Sequence, residues 1–423
     1  MSVGRVVTAL LVLAASTARA FELEQLTCVP PGCEIRGAPV LSASGRRLVL
    51  RSTCDLDRGR NPRGREQLFL LDLESRHLRQ LTRSGRDCTF DVASDAAGER
   101  LVAVARCGGT EKRPPRSRLL ECRGGGPFRP LGGWVRCAIG FTPGALSADG
   151  DHVGLTAACA PGGGGRPQRR LALYLRDAGS QRFRRLGHPA CDILDASLSA
   201  DGQVVAFISN CDLAGENPWH YFQIFRWDRQ SGRALQLTRV LPHTGCALIE
   251  PLGAGIFEPP AVSADGYRVG VGAACVDATR QSFVLDSAAL FRWGPDARPE
   301  RLTADYCAGG VSAIDNPVGL SADGRVIAFT LACGALVSGE RTARVLVYRD
   351  DPHPHVGEVL VHAGHGVFRV SRASLDATGS SLAIVADVPL GGCLANGAGQ
   401  VYLARRLEEP APARPVCACG AAP

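Results

Sequence analysis

The stretch Leu198–Cys211 reads LSADGQVVAFISNC, and two close variants recur along the chain: VSADGYRVGVGAAC at Val262–Cys275 and LSADGRVIAFTLAC at Leu320–Cys333. Asp-Gly between two short apolar runs is a hairpin signal, because glycine takes the positive φ that the turn requires. Working outward, the turn glycines are Gly45, Gly98, Gly150, Gly202, Gly266, Gly324 and Gly379, spaced by 53, 52, 52, 64, 58 and 55 residues. Four turns read Ser-Ala-Asp-Gly; the others are degenerate, as SASG, DAAG and DATG.

Each turn is flanked by two strands. A Gly/Pro-rich loop follows, then a third strand such as EQLFLLDL (Glu66–Leu73), LALYLRDA (Leu171–Ala178) or FQIFRWDR (Phe222–Arg229). A fourth closes the unit: HLRQLT (His77–Thr82), ALQLT (Ala234–Thr238) or PERLT (Pro299–Thr303). The unit is a four-stranded antiparallel meander, A-B-C-D, and seven copies of this length predict an all-β, seven-bladed β-propeller. Blade seven lacks a closing strand after GQVYLARRL, but the segment FELEQLTC at Phe21–Cys28 carries the missing EQLT. Residues 21–27 are therefore expected to be strand D of blade seven, closing the ring and leaving no open edge. The propeller spans 21–406 and a Pro/Ala-rich tail spans 407–423.

These motifs resemble the TolB-type WD40-like β-propeller repeat family. The residues that carry the resemblance are the Ser-Ala-Asp-Gly turn, VVAFISN, the loop and strand AGENPWHYFQIFRWD, and the closing QLT, with blade four (Cys191–Arg239) the best copy. The resemblance implies a binding platform, a role that such repeats fill alone or attached to hydrolase domains.

Seventeen cysteines bear on the compartment. Six lie nine residues after a turn glycine, and each such blade has another before strand A. A hairpin folded at the glycine places residue G+9 opposite roughly G−10, which predicts the disulfides Cys33–Cys54, Cys88–Cys107, Cys137–Cys159, Cys191–Cys211, Cys246–Cys275 and Cys307–Cys333. Blade seven has Val388 at G+9 and no cysteine before strand A, so both partners are missing together. A zinc reading needs closely spaced pairs such as C-x₂-C, which Cys28/Cys33 and Cys417/Cys419 do not supply. Cys28, Cys122, Cys393, Cys417 and Cys419 remain; Cys28 and Cys393 are candidates for a seventh staple, and the tail pair is either clamped to the ring or redox-active.

Residues 1–20 read as a secretory signal peptide, with Arg5, the apolar run Val6–Ala15 and an Ala-Arg-Ala cleavage site. The run is too short to span a bilayer. A secreted chain, periplasmic or extracellular, is expected, monomeric and not membrane-spanning. The net charge of +7 is too modest to imply nucleic acid.

Alternation along strand A assigns Val40, Ala93, Ala145, Ser197, Ala261, Gly319 and Ser374 to the channel. Two residues earlier, at its mouth, Asp91, Asp195 and Arg372 are candidates to meet a ligand or cation; a solvated ring of mixed charge is the alternative. The B-to-C loops offer Arg58, Arg60, Arg63 and Arg65 in blade one, Lys112, Arg113 and Arg116 in blade two, and Arg166, Arg169 and Arg170 in blade three. If these share one face they form a basic sector for an anionic protein, glycan or lipid head; base-composition bias is the alternative. His353 and His355 are expected in the C–D turn of blade six and His362 and His365 beyond strand D, about 17 Å apart, too far to converge on a metal. No Gly-x-Ser-x-Gly elbow, phosphate loop or dinucleotide fingerprint is present. The expectation is a non-catalytic platform without cofactor, with a propeller hydrolase or lyase as the alternative.

Overall fold

The computed structural model describes residues 21–109, 115–161, 168–177, 179–180, 182–187, 190–238, 259–276, 285–302, 311–314, 318–334, 341–350, 355–363, 368–369, 374–387, 390 and 399–406. Seven antiparallel sheets follow one another around an axis, each a meander in chain order. Blade one is β2 (Ile35–Leu41), β3 (Arg47–Ser52), β4 (Gln67–Asp72) and β5 (Leu78–Gln80). Blade two is β6 (Cys88–Ser94), β7 (Arg100–Cys107), β8 (Arg116–Arg123) and β9 (Arg129–Pro130). In blade seven β1 (Phe21–Gln25) pairs with β29 (Gln400–Arg406), Phe21 lying opposite Arg406, so the N-terminal strand supplies the outer strand of the last blade. The seven-bladed ring expected from the repeat is thus present, closed at the expected seam.

Inner and outer strands differ because their neighbours differ. Strand C of blade one is buried at every position from Gln67 to Leu71, since blades cover both faces of the sheet. The outer strand of blade two, Arg129–Pro130, is by contrast two residues long and exposed. The core is accordingly seven wedges, each made by two adjacent blades. In one, Leu173 and Leu175 of blade three pack on Ile193, Val205 and Phe225 of blade four.

The Ser-Ala-Asp-Gly turn divides its labour. In blade four the Ser199 hydroxyl donates to Asp201 (2.7 Å) and accepts from the Val204 N–H (2.9 Å), while Asp201 also accepts from Gln203 N–H (3.0 Å). Gly202 has φ +64°, and a Cβ there would meet the Cβ of His152 in blade three at 2.5 Å. The alanine faces the axis. Ala96, Ala148, Ala200, Ala264, Ala322 and Ala377 each donate their backbone N–H to the alanine carbonyl of the next blade, and Ser44 donates to Ala96, at 2.7 to 3.0 Å. Seven turns are joined head to tail in an unbroken circuit.

The closing QLT has an equally specific role. In blade four Thr238 donates to Gln223 Oε1 (2.6 Å) and accepts from Ile224 N–H (2.9 Å), and Gln236 donates to the Thr238 carbonyl (2.8 Å). Thr82, Gln67 and Gln80 repeat this in blade one. Thr27, Gln400 and Gln25 repeat it in blade seven across the seam.

Four of the expected disulfides are formed: Cys33–Cys54, Cys88–Cys107, Cys137–Cys159 and Cys191–Cys211, with Cα atoms 4.0 to 6.0 Å apart. Cys88 and Cys107 are direct cross-strand partners. Cys28 is also disulfide-bonded. Cys246 and Cys307 lie outside the described residues, as do Cys393, Cys417 and Cys419, the segment 1–20 and the tail 407–423. Cys122 is free and buried. Burial raises its thiol pKa, which leaves it little thiolate character.

Candidate functional site

The positions five before each turn glycine do not line the channel. Strand A presents its edge to the axis and its two faces to the two neighbouring blades, so alternation there separates one inter-blade wedge from the next. Val40 packs with Val49, Phe90 and Leu101 between blades one and two, and Ala93 packs with Ile139 and Leu155 between blades two and three. The turn end of the axis is lined by residues four and two before the glycine, among them Leu41, Leu198, Leu320, Ala43, Ala200 and Ala322. Ser197 and Ser374 instead bridge blades: Ser197 Oγ accepts from Val262 N–H (3.2 Å) and Ser374 donates to the Pro39 carbonyl (3.1 Å).

Asp91 and Asp195 come from blades two and four, with blade three between them. Burial, with the charge of Asp91 adding, pushes the Asp195 carboxyl up to about 6. Asp195 lies where the pairing register shifts between Leu194 and Ser197, and it takes φ +49°, a costly conformation for a residue other than glycine. Asp91 is held by arginines from two blades, Arg51 at 3.0 Å and Arg106 in closer contact. Its neighbour Glu66 is buried; desolvation raises its pKa against the pull of the Phe90 N–H and of Arg51 and Arg36. Arg372 lies outside the described residues.

Among the basic loop residues, Arg58, Arg63, Arg116 and Arg169 are exposed and form no ion pair among the described residues. Arg60 pairs with Asp57 (3.4 Å), Arg65 with Asp87 (3.3 Å) and Arg170 with Asp192 (2.6 Å). Lys112, Arg113 and Arg166 fall outside the described residues. The loops themselves are braced. Asp55 accepts from the N–H groups of Gly59, Arg60 and Asn61, and Asn61 donates to the carbonyls of Thr53, Cys54 and Arg65. Asn217 plays the same part in blade four, presenting Trp219, 66% exposed, at the loop tip.

Motif reading missed a groove of about 1020 Å³ between the outer strand of blade one and strand C of blade two. Its arginines come from three separate segments, Arg60, then Arg79, Arg83 and Arg86, then Arg118. A signal was available in the run R-Q-L-T-R-S-G-R at Arg79–Arg86, whose three arginines lie around one strand end. No group of three or more metal-ligating side chains occurs among the described residues. His355 and His362 both belong to the outer strand His355–Ala363 of blade six, so the second lies within that strand and not beyond it.

Against known proteins, no family model and no curated protein matches the chain. Solved structures do. A prolyl endopeptidase is 11% identical with a TM-score of 0.51, over 92% of this chain and 51% of that one. The shared feature is the propeller fold. TolB from Acinetobacter baumannii is 15% identical, covering 79% of this chain and 67% of that one, with a TM-score of 0.43. An oligogalacturonate lyase in complex with manganese is 12% identical, over 91% and 93%, with a TM-score of 0.39. At such identities the likeness is one of architecture, and its span of activities leaves the chemistry to this chain's own residues.

Proposed function

We propose that the chain is an exported, non-catalytic propeller that binds a protein or anionic envelope partner on its loop face. The observation that carries this reading is the set of exposed arginines Arg58, Arg63, Arg116 and Arg169, with no ion pair among the described residues, which follow disulfide-bonded cysteines, Arg116 at the first position of strand C and the others on loops. A surface already rigid in the free protein loses less entropy on binding, and like charge gathered on one sector speeds encounter with an opposite one. The signal-like segment 1–20 and the four disulfides support an oxidising compartment.

The second reading, a hydrolase or lyase at the channel mouth, would use Asp195, whose carboxyl burial pushes up to about 6 with the charge of Asp91 adding. Against it, the two-arginine clamp on Asp91 occupies a group that such a reaction would need free.

Affinity capture from the native envelope, comparing the protein with a variant carrying Glu at Arg58, Arg63, Arg116 and Arg169, tests the first reading. The expected result is a partner lost from the variant and released as salt rises. Partners retained equally by both would overturn it. Turnover of any substrate that vanishes in Asp91→Ala and Asp195→Ala would establish the second reading instead.

A further inference from the structure

We propose that the groove between blades one and two is the partner-reading site, and that it takes an acidic peptide segment carrying one large apolar side chain. This rests on the reading of the protein as a binding platform and names what the platform binds.

The groove combines two surfaces. Its floor is apolar: Phe90, Ala105, Leu120 and Phe128, with the Cys88–Cys107 disulfide at one end and Trp134, 40% exposed, at the edge. Its walls carry Arg60, Arg79, Arg83, Arg86 and Arg118, and among the described residues no carboxylate lines it. That asymmetry is local, since the whole chain has 41 acidic residues against 48 basic ones. Asp57 pairs with Arg60 and accepts from the Gln80 N–H, so one groove arginine is already matched, while Asp87 pairs with Arg65 outside the groove. Arg79, Arg83, Arg86 and Arg118 form no ion pair among the described residues.

One of these arginines is held in position: Arg118 donates Nε–H to the Gly132 carbonyl (2.9 Å) and lies 5.6 Å from the Trp134 ring centre. Half-buried Arg79 lies over Gly125, where a side chain would displace its guanidinium. Fixed guanidinium forks suit carboxylates.

The same surfaces discriminate between anions. A bilayer presents its phosphates on a broad surface and cannot place an apolar group on a recessed floor. A peptide can seat one aromatic or aliphatic side chain on that floor while flanking Asp or Glu residues meet the arginines.

Fluorescein-labelled synthetic peptides test this: acidic residues around a central Trp, the same with central Gly, and the same with Asn and Gln replacing the acids. With the disulfide-intact protein, the Trp-centred acidic peptide is expected to bind at least about tenfold tighter than either control. Arg83→Glu/Arg86→Glu should abolish binding, and Trp134→Ala should weaken it several-fold. Unchanged thermal unfolding of the exposed double-arginine variant confirms that the fold is kept. Equal binding of the Gly-centred peptide, or binding indifferent to the groove substitutions, would overturn the proposal. So would binding of phosphatidylglycerol vesicles through these arginines with no peptide bound. If the loop variant at Arg58, Arg63, Arg116 and Arg169 loses an envelope partner while the groove variant keeps it, the groove inference fails and the platform reading stands. If neither variant loses any partner and no peptide binds, both fail.

Discussion

Asp195 shows what a buried carboxyl costs. Its carboxyl binds a proton more tightly in the folded chain, at about 6, than in the unfolded one, near 3.9. The folded state is therefore favoured at low pH and loses that advantage as pH climbs from about 4 to about 6, the penalty persisting above. Asp195→Asn removes the titration. It is expected to raise the melting temperature at pH 8 by a few degrees and to leave it unchanged at pH 4. Equal effects at the two values would show that the backbone strain at φ +49°, not the charge, is what the substitution relieves. Gly202 makes a simpler case. Gly202→Ala forces a Cβ against His152 and strains the turn, so chemical denaturation should show a loss of about 2–3 kcal/mol.

At the scale of the strand, the seam depends on Thr27. Its hydroxyl donates to Gln400 and accepts from Val401 N–H. Thr27→Val leaves the buried Val401 N–H unmatched, while Gln400 keeps its bond from the Val29 N–H, and should cost about 1–3 kcal/mol. Thr238→Val removes the same pattern inside blade four, where the chain is continuous. Hydrogen exchange should therefore show the Phe21–Gln25 strand opening in the first variant, with no comparable fraying in the second. The staples act locally too. Replacing Cys191 and Cys211 by Ser opens a loop closed over 20 residues and should cost about 3 kcal/mol in the chain-entropy model.

What could be read from sequence at this scale follows from distance along the chain. The hairpin turns, the disulfide register and the seam were legible, because each depends on residues within one blade or on a copied motif such as QLT. The orientation of strand A was not. Alternation reveals that Val40 and Leu41 lie on opposite faces, but only packing shows that both faces meet neighbouring blades. The groove was legible least of all, since Arg60, Arg79 and Arg118 are brought together by the docking of two blades. Nor does any motif place Asp91 beside Arg51, which comes from another blade.

For the molecule as a whole, the head-to-tail circuit of turn alanines carries a further consequence. Ala377 reaches Ala43 through the same hydrogen bond that joins Ala148 to Ala200, so no junction between blades is privileged. Phe21 also sits directly across from Arg406, where the other blades have a C-to-D hairpin. The chain should therefore tolerate circular permutation. A gene that fuses Arg406 to Phe21 through a short hairpin linker and opens at Gly187, after the outer strand of blade three, should yield a protein with the same circular dichroism and a melting temperature within a few degrees of the parent. The polypeptide has two ends, but the fold it makes has no first blade.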